Sequence, residues 1–231
     1  MIKLVFFDID GTLIRTGGAG VRAFERAAAT EFDLPHATRQ LKFAGRTDTS
    51  LVRELFDHHQ VAPVPENFQR FFDRYVFLLD HHLPLAVGAR CPGVNSFLRA
   101  LRALPHPPGF GLLTGNIRLG AEIKLRHFGL WELFETGAFG DDHEDRNRLA
   151  GIARQRGCRL LAREVAGEEI LVVGDTPFDV QCGRAIGART LAVATGGASL
   201  AELRACNPDW VVSSLEHVDV ATVCPQPFRD R

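Results

Sequence analysis

The stretch that decides the fold is Lys3-Leu4-Val5-Phe6-Phe7-Asp8-Ile9-Asp10-Gly11-Thr12-Leu13. The apolar run Leu4 to Phe7, with Ile2 just before Lys3, predicts a buried strand. Asp8 and Asp10 follow two positions apart, and side chains two apart on a strand point the same way. Burying two like charges together is costly unless something positive lies between them. A short metal-carboxylate site is the economical explanation, with Gly11 turning the chain out of the strand.

Beyond this strand, Thr16-Gly17-Gly18-Ala19-Gly20 reads as a loop with unusual backbone freedom. Apolar spacing then predicts a helix over 21–32, and a second that Thr47 or Asp48 could cap, with Leu51, Leu55 and Phe56 on one face. A third helix, over 65–81, carries the stripe Phe68, Phe71, Phe72, Tyr75, Leu78 and Leu79, read as packing between helices. No strand is expected between 15 and 85, so this block reads as a small helical unit set into something else.

The pattern changes after it. A helix with Pro92 in its first turn carries Val94, Phe97, Leu98 and Leu101. Strands are then predicted over 110–114, 136–139, 170–175, 190–194 and 210–212, with helices between them. Continuous apolar strands alternating with helices mean a parallel sheet covered on both faces. The expected fold is therefore α/β, a doubly wound Rossmann-like core formed by 1–14 and 86–231, with a helical cap domain at 15–85. Ligands of such sheets bind beyond the carboxyl ends of the strands. At those ends lie Asp8 and Asp10, Thr114, and Asp175 with Asp179 four residues on. The tail 224–231, rich in proline and charge, is expected to be loose.

Composition narrows the function from the other side. The hydrophobic share of 45% and charged share of 24% are those of an ordinary globular protein. A net charge of −1 gives no footprint for nucleic acid, and no apolar run approaches the ~20 residues that span a membrane. The chain enters a strand at once, so it is read as mature and cytoplasmic. Cys91, Cys158, Cys182, Cys206 and Cys224 are scattered, fit neither a zinc site nor a disulfide framework, and read as small buried hydrophobes.

The order of polar residues resembles the haloacid dehalogenase superfamily, over nearly the whole chain. The D-x-D-G-T-L motif is Asp8 to Leu13. The strand ending in a hydroxyl is Leu112-Leu113-Thr114-Gly115-Asn116, and G-D-T-x-x-D-V is Gly174 to Val180. The helical insert after the first motif looks like the cap of the phosphoglycolate phosphatase-like subgroup. Where relatives carry a lysine as third motif, this chain has Asp145-Arg146-Asn147-Arg148, with Arg146 the candidate and Arg148 its rival. The resemblance implies that Asp8 is a nucleophile forming an aspartyl-phosphate, and Asp10 an acid and base. Mg²⁺ would be held by Asp8, the Asp10 carbonyl, Asp175 and Asp179. Thr114 and Arg146 would serve the reacting phosphoryl group, and Gly11, Thr12, Gly115, Asn116 and the cap residue Arg46 the phosphate or substrate.

Asp179 also fits a helix cap with Thr176, which does not exclude metal contact. The acidic run 141–145 reads as a solvated loop. The expected enzyme is a phosphatase of a small phosphorylated metabolite, phosphoglycolate among the candidates, working as a monomer or homodimer. A β-phosphoglucomutase-like phosphotransferase is the alternative, separated only by cap contacts. A dehalogenase would lack the second Asp, and a phosphonate hydrolase would need a Schiff-base lysine in the insert, where Lys42 is the one lysine.

Overall fold

Residues 1–226 are described in a computed structural model of the chain. Leu4 to Phe7 form β1 (Leu4–Phe7), buried on both faces. Val5 and Phe7 point into one apolar layer, Leu4 and Phe6 into the other, the two-residue alternation of any strand. Phe7 anchors its side by edge contacts with Phe97, Phe110 and Phe134.

The chain then makes β2 (Ile14–Arg15), leaves through three helices, and returns as β3 (Ala89–Arg90), which pairs antiparallel with β2. This two-stranded ribbon is not expected from the sequence, because two residues carry no periodicity. The helices are α1 (Ala19–Phe32), α2 (Asp48–His58) and α3 (Pro65–His82). They close around their own apolar cluster, in which Phe24, Phe56, Phe71 and Tyr75 meet mostly edge to face. The phenylalanine stripe is thus packing, as expected.

After the ribbon come α4 (Val94–Arg102), β4 (Gly109–Leu113), α5 (Arg118–His127), β5 (Thr136–Ala138), α6 (Arg146–Leu160), β6 (Ile170–Gly174), α7 (Pro177–Ala185), β7 (Arg189–Val193), α8 (Leu200–Ala205), β8 (Trp210–Val212) and α9 (Val220–Val223). Six strands form one sheet in the order β5-β4-β1-β6-β7-β8, every neighbouring pair parallel. This is the doubly wound α/β sheet that the sequence predicts. Helices α4, α5 and α9 contribute to the layer on one face, α6 and α7 to the layer on the other.

Three details differ from expectation. Pro92 lies outside α4, whose cap is Gly93 in the left-handed region. α6 runs from Arg146 to Leu160, longer than the helix over 147–156 that the sequence predicts. The tail is held at least as far as Cys224, which is fully buried after α9; residues 227–231 lie outside the described residues. Cys91 and Cys182 are buried as expected, whereas Cys158 and Cys206 are half-buried, and all five are free thiols. Among the described residues no helix is long and apolar enough to cross a membrane.

Phe71 is fully buried and touches Phe24, Phe32, Phe56 and Phe72. Phe71→Ala should cost about 3–5 kcal/mol of unfolding free energy, measured by urea titration. A loss under about 1 kcal/mol would mean that these helices do not share a packed core.

Candidate functional site

Strand β1 stops at Phe7 because the next residues are acids with other partners. The Asp8 amide still bonds the Val173 carbonyl at 2.9 Å, so its side chain emerges at the carboxyl edge of the sheet beside the end of β6. Gly11 makes the turn that follows, at φ +88°, and a Cβ there would lie 2.6 Å from Asp175 Oδ2. Thr12 Oγ1 donates to Asp175 Oδ1 at 3.1 Å, and the Gly197 amide donates to Asp175 Oδ2 at 2.7 Å. Asp179 stands in the first turn of α7, where its Oδ2 accepts from the Thr176 amide at 3.0 Å and the Thr176 hydroxyl at 2.6 Å. The expected cap is therefore made, and it uses only one oxygen.

Asp8, Asp175 and Asp179 each put an oxygen within 4.8 Å of the others. Arg146 enters from the start of α6, which Asp145 caps by accepting from the Asn147 amide at 2.8 Å. The Arg146 Nη2 donates to Asp8 Oδ1 at 3.4 Å and to Asp179 Oδ1. Arg148, its rival, is exposed. Burial, then repulsion from Asp179, pushes the Asp8 carboxyl well above the usual carboxylate range, with Arg146 pulling the other way. Burial and Asp179 likewise push Asp175 up to about 7.

With all three carboxylates ionised, one guanidinium would leave two negative charges uncompensated in a buried place. The donors are all hard carboxylate oxygens. Arg146 Nε, also buried, has no hydrogen-bond partner. This donor set fits a divalent cation of the Mg²⁺ type, together with an anion that takes up the spare guanidinium donor.

The second acid is placed differently. Asp10 has a side chain 40% exposed, and only its Oδ2 has partners: Asn116 Nδ2 at 2.9 Å and Lys124 Nζ at 2.6 Å. Asn116 Nδ2 also donates to Thr114 Oγ1 at 2.9 Å, which ties the end of β4 to the end of β1. Gly115 between them is approached so closely by the helical unit that a Cβ would sit 2.1 Å from the Arg46 carbonyl oxygen. The Asp48 amide donates to the Gly115 carbonyl at 2.7 Å, and Asp48 Oδ2 accepts from the Ile117 amide at 2.9 Å.

Asp8, Asp10, Asp48, Gly115, Asn116, Lys124, Arg146 and Asp175 line one cavity of about 430 Å³ between the sheet edge and the helical unit, whereas Thr114 and Asp179 are not among its lining residues. Its upper wall is Val21, Phe24, Phe43, Leu51 and Tyr75. Arg46 also lines it, but its guanidinium is turned to Glu54 at 2.8 Å and to Ser50. Lys42 is exposed and is not among the lining residues. The acidic run is more than a solvated loop. Glu144 accepts a bidentate pair from Arg53, its carbonyl accepts from Thr47 Oγ1 at 2.9 Å, and Asp142 pairs with Arg156.

Asp8, Asp10, Gly11, Arg46, Gly115, Asn116, Arg146 and Asp175 line this cavity, Thr12, Thr114 and Asp179 bond residues that do, and the rivals Arg148 and Lys42 stay outside it. Lys124, Asp48 and Tyr75 join them without having been given a role at the site. The signal for Lys124 was faint: it lies on the buried face of α5 with Gly120 and Ala121, where a charge needs a partner.

Comparison with known proteins places the chain in a family. The family described as haloacid dehalogenase-like hydrolase matches residues 5–193. The chain belongs to that family. Among relatives, this hydrolase is 26% identical over 215 residues to the pyrophosphatase PpaX of Bacillus cereus, covering 93% of each chain. It is 26% identical over 195 residues to the phosphoglycolate phosphatase of Cereibacter sphaeroides, covering 80% of this chain and 82% of that one. Among solved structures, CbbY from Rhodobacter sphaeroides in complex with phosphate superposes with a TM-score of 0.71 at 18% identity, over 94% of this chain and 96% of that one.

Two predictions rest on this electrostatics. Burial, partly offset by Lys124 and the Ile117 amide, raises Asp48 from 3.8 to about 6. A raised carboxyl favours the native state at low pH, and that advantage is lost as pH climbs through 6. Asp48→Asn should therefore gain stability between pH 4.5 and 7.5 relative to the natural chain, by roughly 2 kcal/mol in urea unfolding. Equal differences at the two pH values would contradict the burial of that charge. Protons compete with a cation for Asp8 and Asp175, so millimolar Mg²⁺ should raise the melting temperature more at pH 7.5 than at pH 5. A pH-independent shift would remove these carboxylates from the binding site.

Proposed function

We propose that this hydrolase, a phosphatase of the haloacid dehalogenase-like family, cleaves a small phosphorylated metabolite through an aspartyl-phosphate on Asp8. The observation that carries the reading is the meeting of Asp8, Asp175 and Asp179 around Arg146 at the edge of the sheet. Asp8, the Asp10 carbonyl, Asp175 and Asp179 would hold Mg²⁺, which when bound offsets charge on the phosphoryl oxygens and on Asp8.

Phosphoryl transfer asks mainly for positioning and charge neutralisation. Asp8 attacks phosphorus in line as the bond to the leaving oxygen breaks, and that oxygen takes a proton from Asp10. A water then gives its proton to Asp10 and attacks phosphorus, and the bond to Asp8 breaks with its electron pair returning to the carboxylate. Thr114, the amides of Gly115 and Asn116, and Arg146 surround the phosphoryl oxygens. Gly11 and Thr12 keep Asp175 in place from below. The fully buried Phe24 and Leu51 and the partly buried Phe43 would close over the leaving group.

The helical unit acts as a cap, with residues 15–85 folding over the core formed by 1–14 and 86–231. Arg46 belongs to the substrate side, reaching a ligand once it leaves Glu54. The short ribbon of β2 and β3 is the pair of crossings on which the cap would move. Phosphoglycolate is one candidate substrate.

Hydrolysis of p-nitrophenyl phosphate should require Mg²⁺ and vanish in Asp8→Asn. Arg146→Ala should lower kcat/KM by roughly a hundredfold or more, and Arg148→Ala by less than about threefold. Turnover without metal, or the reverse ranking of the two arginines, would sink this mechanism.

A further inference from the structure

Lys124 is a charged group at this site that none of the motifs accounts for. It projects from the middle of α5 and is 5% exposed. An ammonium so buried needs acceptors. It has two within reach, Asp10 Oδ2 at 2.6 Å and Asn116 Oδ1 at 2.5 Å. A Cβ on Gly20, in the first turn of α1, would be 3.5 Å from Nζ and 3.9 Å from the Tyr75 hydroxyl, so the cap closes over this ammonium.

The two bonds have different consequences. Lysine can only donate, so it requires the oxygen of the Asn116 amide to face it. The nitrogen of that amide must then face the other way, toward Asp10 Oδ2 and Thr114 Oγ1, where it donates to both. Lys124 thereby sets the polarity of the whole chain of bonds from α5 to Thr114. Together Lys124 and Asn116 hold one oxygen of Asp10 and leave Oδ1, in a side chain 40% exposed, turned to the cavity.

We propose that Lys124 is a positioning residue. It fixes Asp10 in the rotamer that meets the leaving-group oxygen, directly and through the amide of Asn116. This rests on the acid and base role given to Asp10 above. It implies a particular signature. A misplaced acid matters most when the leaving oxygen cannot depart as an anion. Lys124→Met does not strand a buried carboxylate in Asp10, which opens onto the cavity and can be hydrated there.

The test is single-turnover release of the alcohol, with enzyme in excess and Mg²⁺ present, from p-nitrophenyl phosphate and from phenyl phosphate. The two esters share a ring, but phenol is much the poorer leaving group. In Lys124→Met the first-turnover rate should fall roughly a hundredfold on phenyl phosphate and less than about tenfold on p-nitrophenyl phosphate. Melting temperatures confirm that the variant is folded; if it is not, Lys124→Gln is read in the same way. Equal losses on the two esters, or no loss on either, would overturn the positioning role while leaving the mechanism standing. A natural chain that hydrolyses neither ester, or an Asp8→Asn variant that still does, would overturn the mechanism and the role of Lys124 with it.

Discussion

The contact on which the site depends is the guanidinium of Arg146 set between Asp8 and Asp179. Burial opposes the charge on Arg146, but the two carboxylates outweigh it and hold the group protonated. A charge of this kind is tolerated in a protein interior only where geometry supplies partners on several sides. Here the partners come from β1, from the first turn of α7 and, through the Gly45 carbonyl, from the cap loop. Arg146 is the first residue of α6 because Asp145 caps that helix, so a local rule of helix starts delivers the cation to the sheet edge. An arginine rather than a lysine suits the position, since its fork can serve two carboxylates and a carbonyl at once.

The same arrangement divides two acids that are neighbours in sequence. Asp8 lies in a crowd of like charges and is nearly closed off from solvent. Asp10 is half open and faces an ammonium and an amide instead. Pleating sends both toward the same edge of the sheet, and only their partners make them chemically unlike. Those partners are contributed by helices far apart in the chain, α6 and α7 for one, α5 for the other.

That division explains what was legible in the sequence. The fold could be read because β1, β4 and β6 at the centre of the sheet are nearly unbroken apolar runs, and because Asp8, Thr114 and Asp175 interrupt or end such runs. Arg146 could be inferred from order along the chain. Lys124 could not, because its meaning lies in a contact 114 residues away and its place on the buried face of α5 marks it only faintly. The ribbon of β2 and β3 was hidden for a similar reason, being two short pieces joined across the whole insert. The acidic run 141–145 misled, since its charges look solvated until the cap brings Arg53 and Thr47 to Glu144.

Gly115 carries one more implication. It lines the cavity proposed for phosphate, while its carbonyl accepts from the Asp48 amide of the helical unit. One peptide segment is thus shared between the proposed ligand place and the contact with the helical unit. Two events that use the same small piece of backbone are thermodynamically linked, and linkage is reciprocal. An anion that orders this turn strengthens the hold of the cap, and a cap that is down makes the turn a better cradle. In an enzyme built this way, shutting out bulk water does not call for a separate signal from elsewhere in the chain.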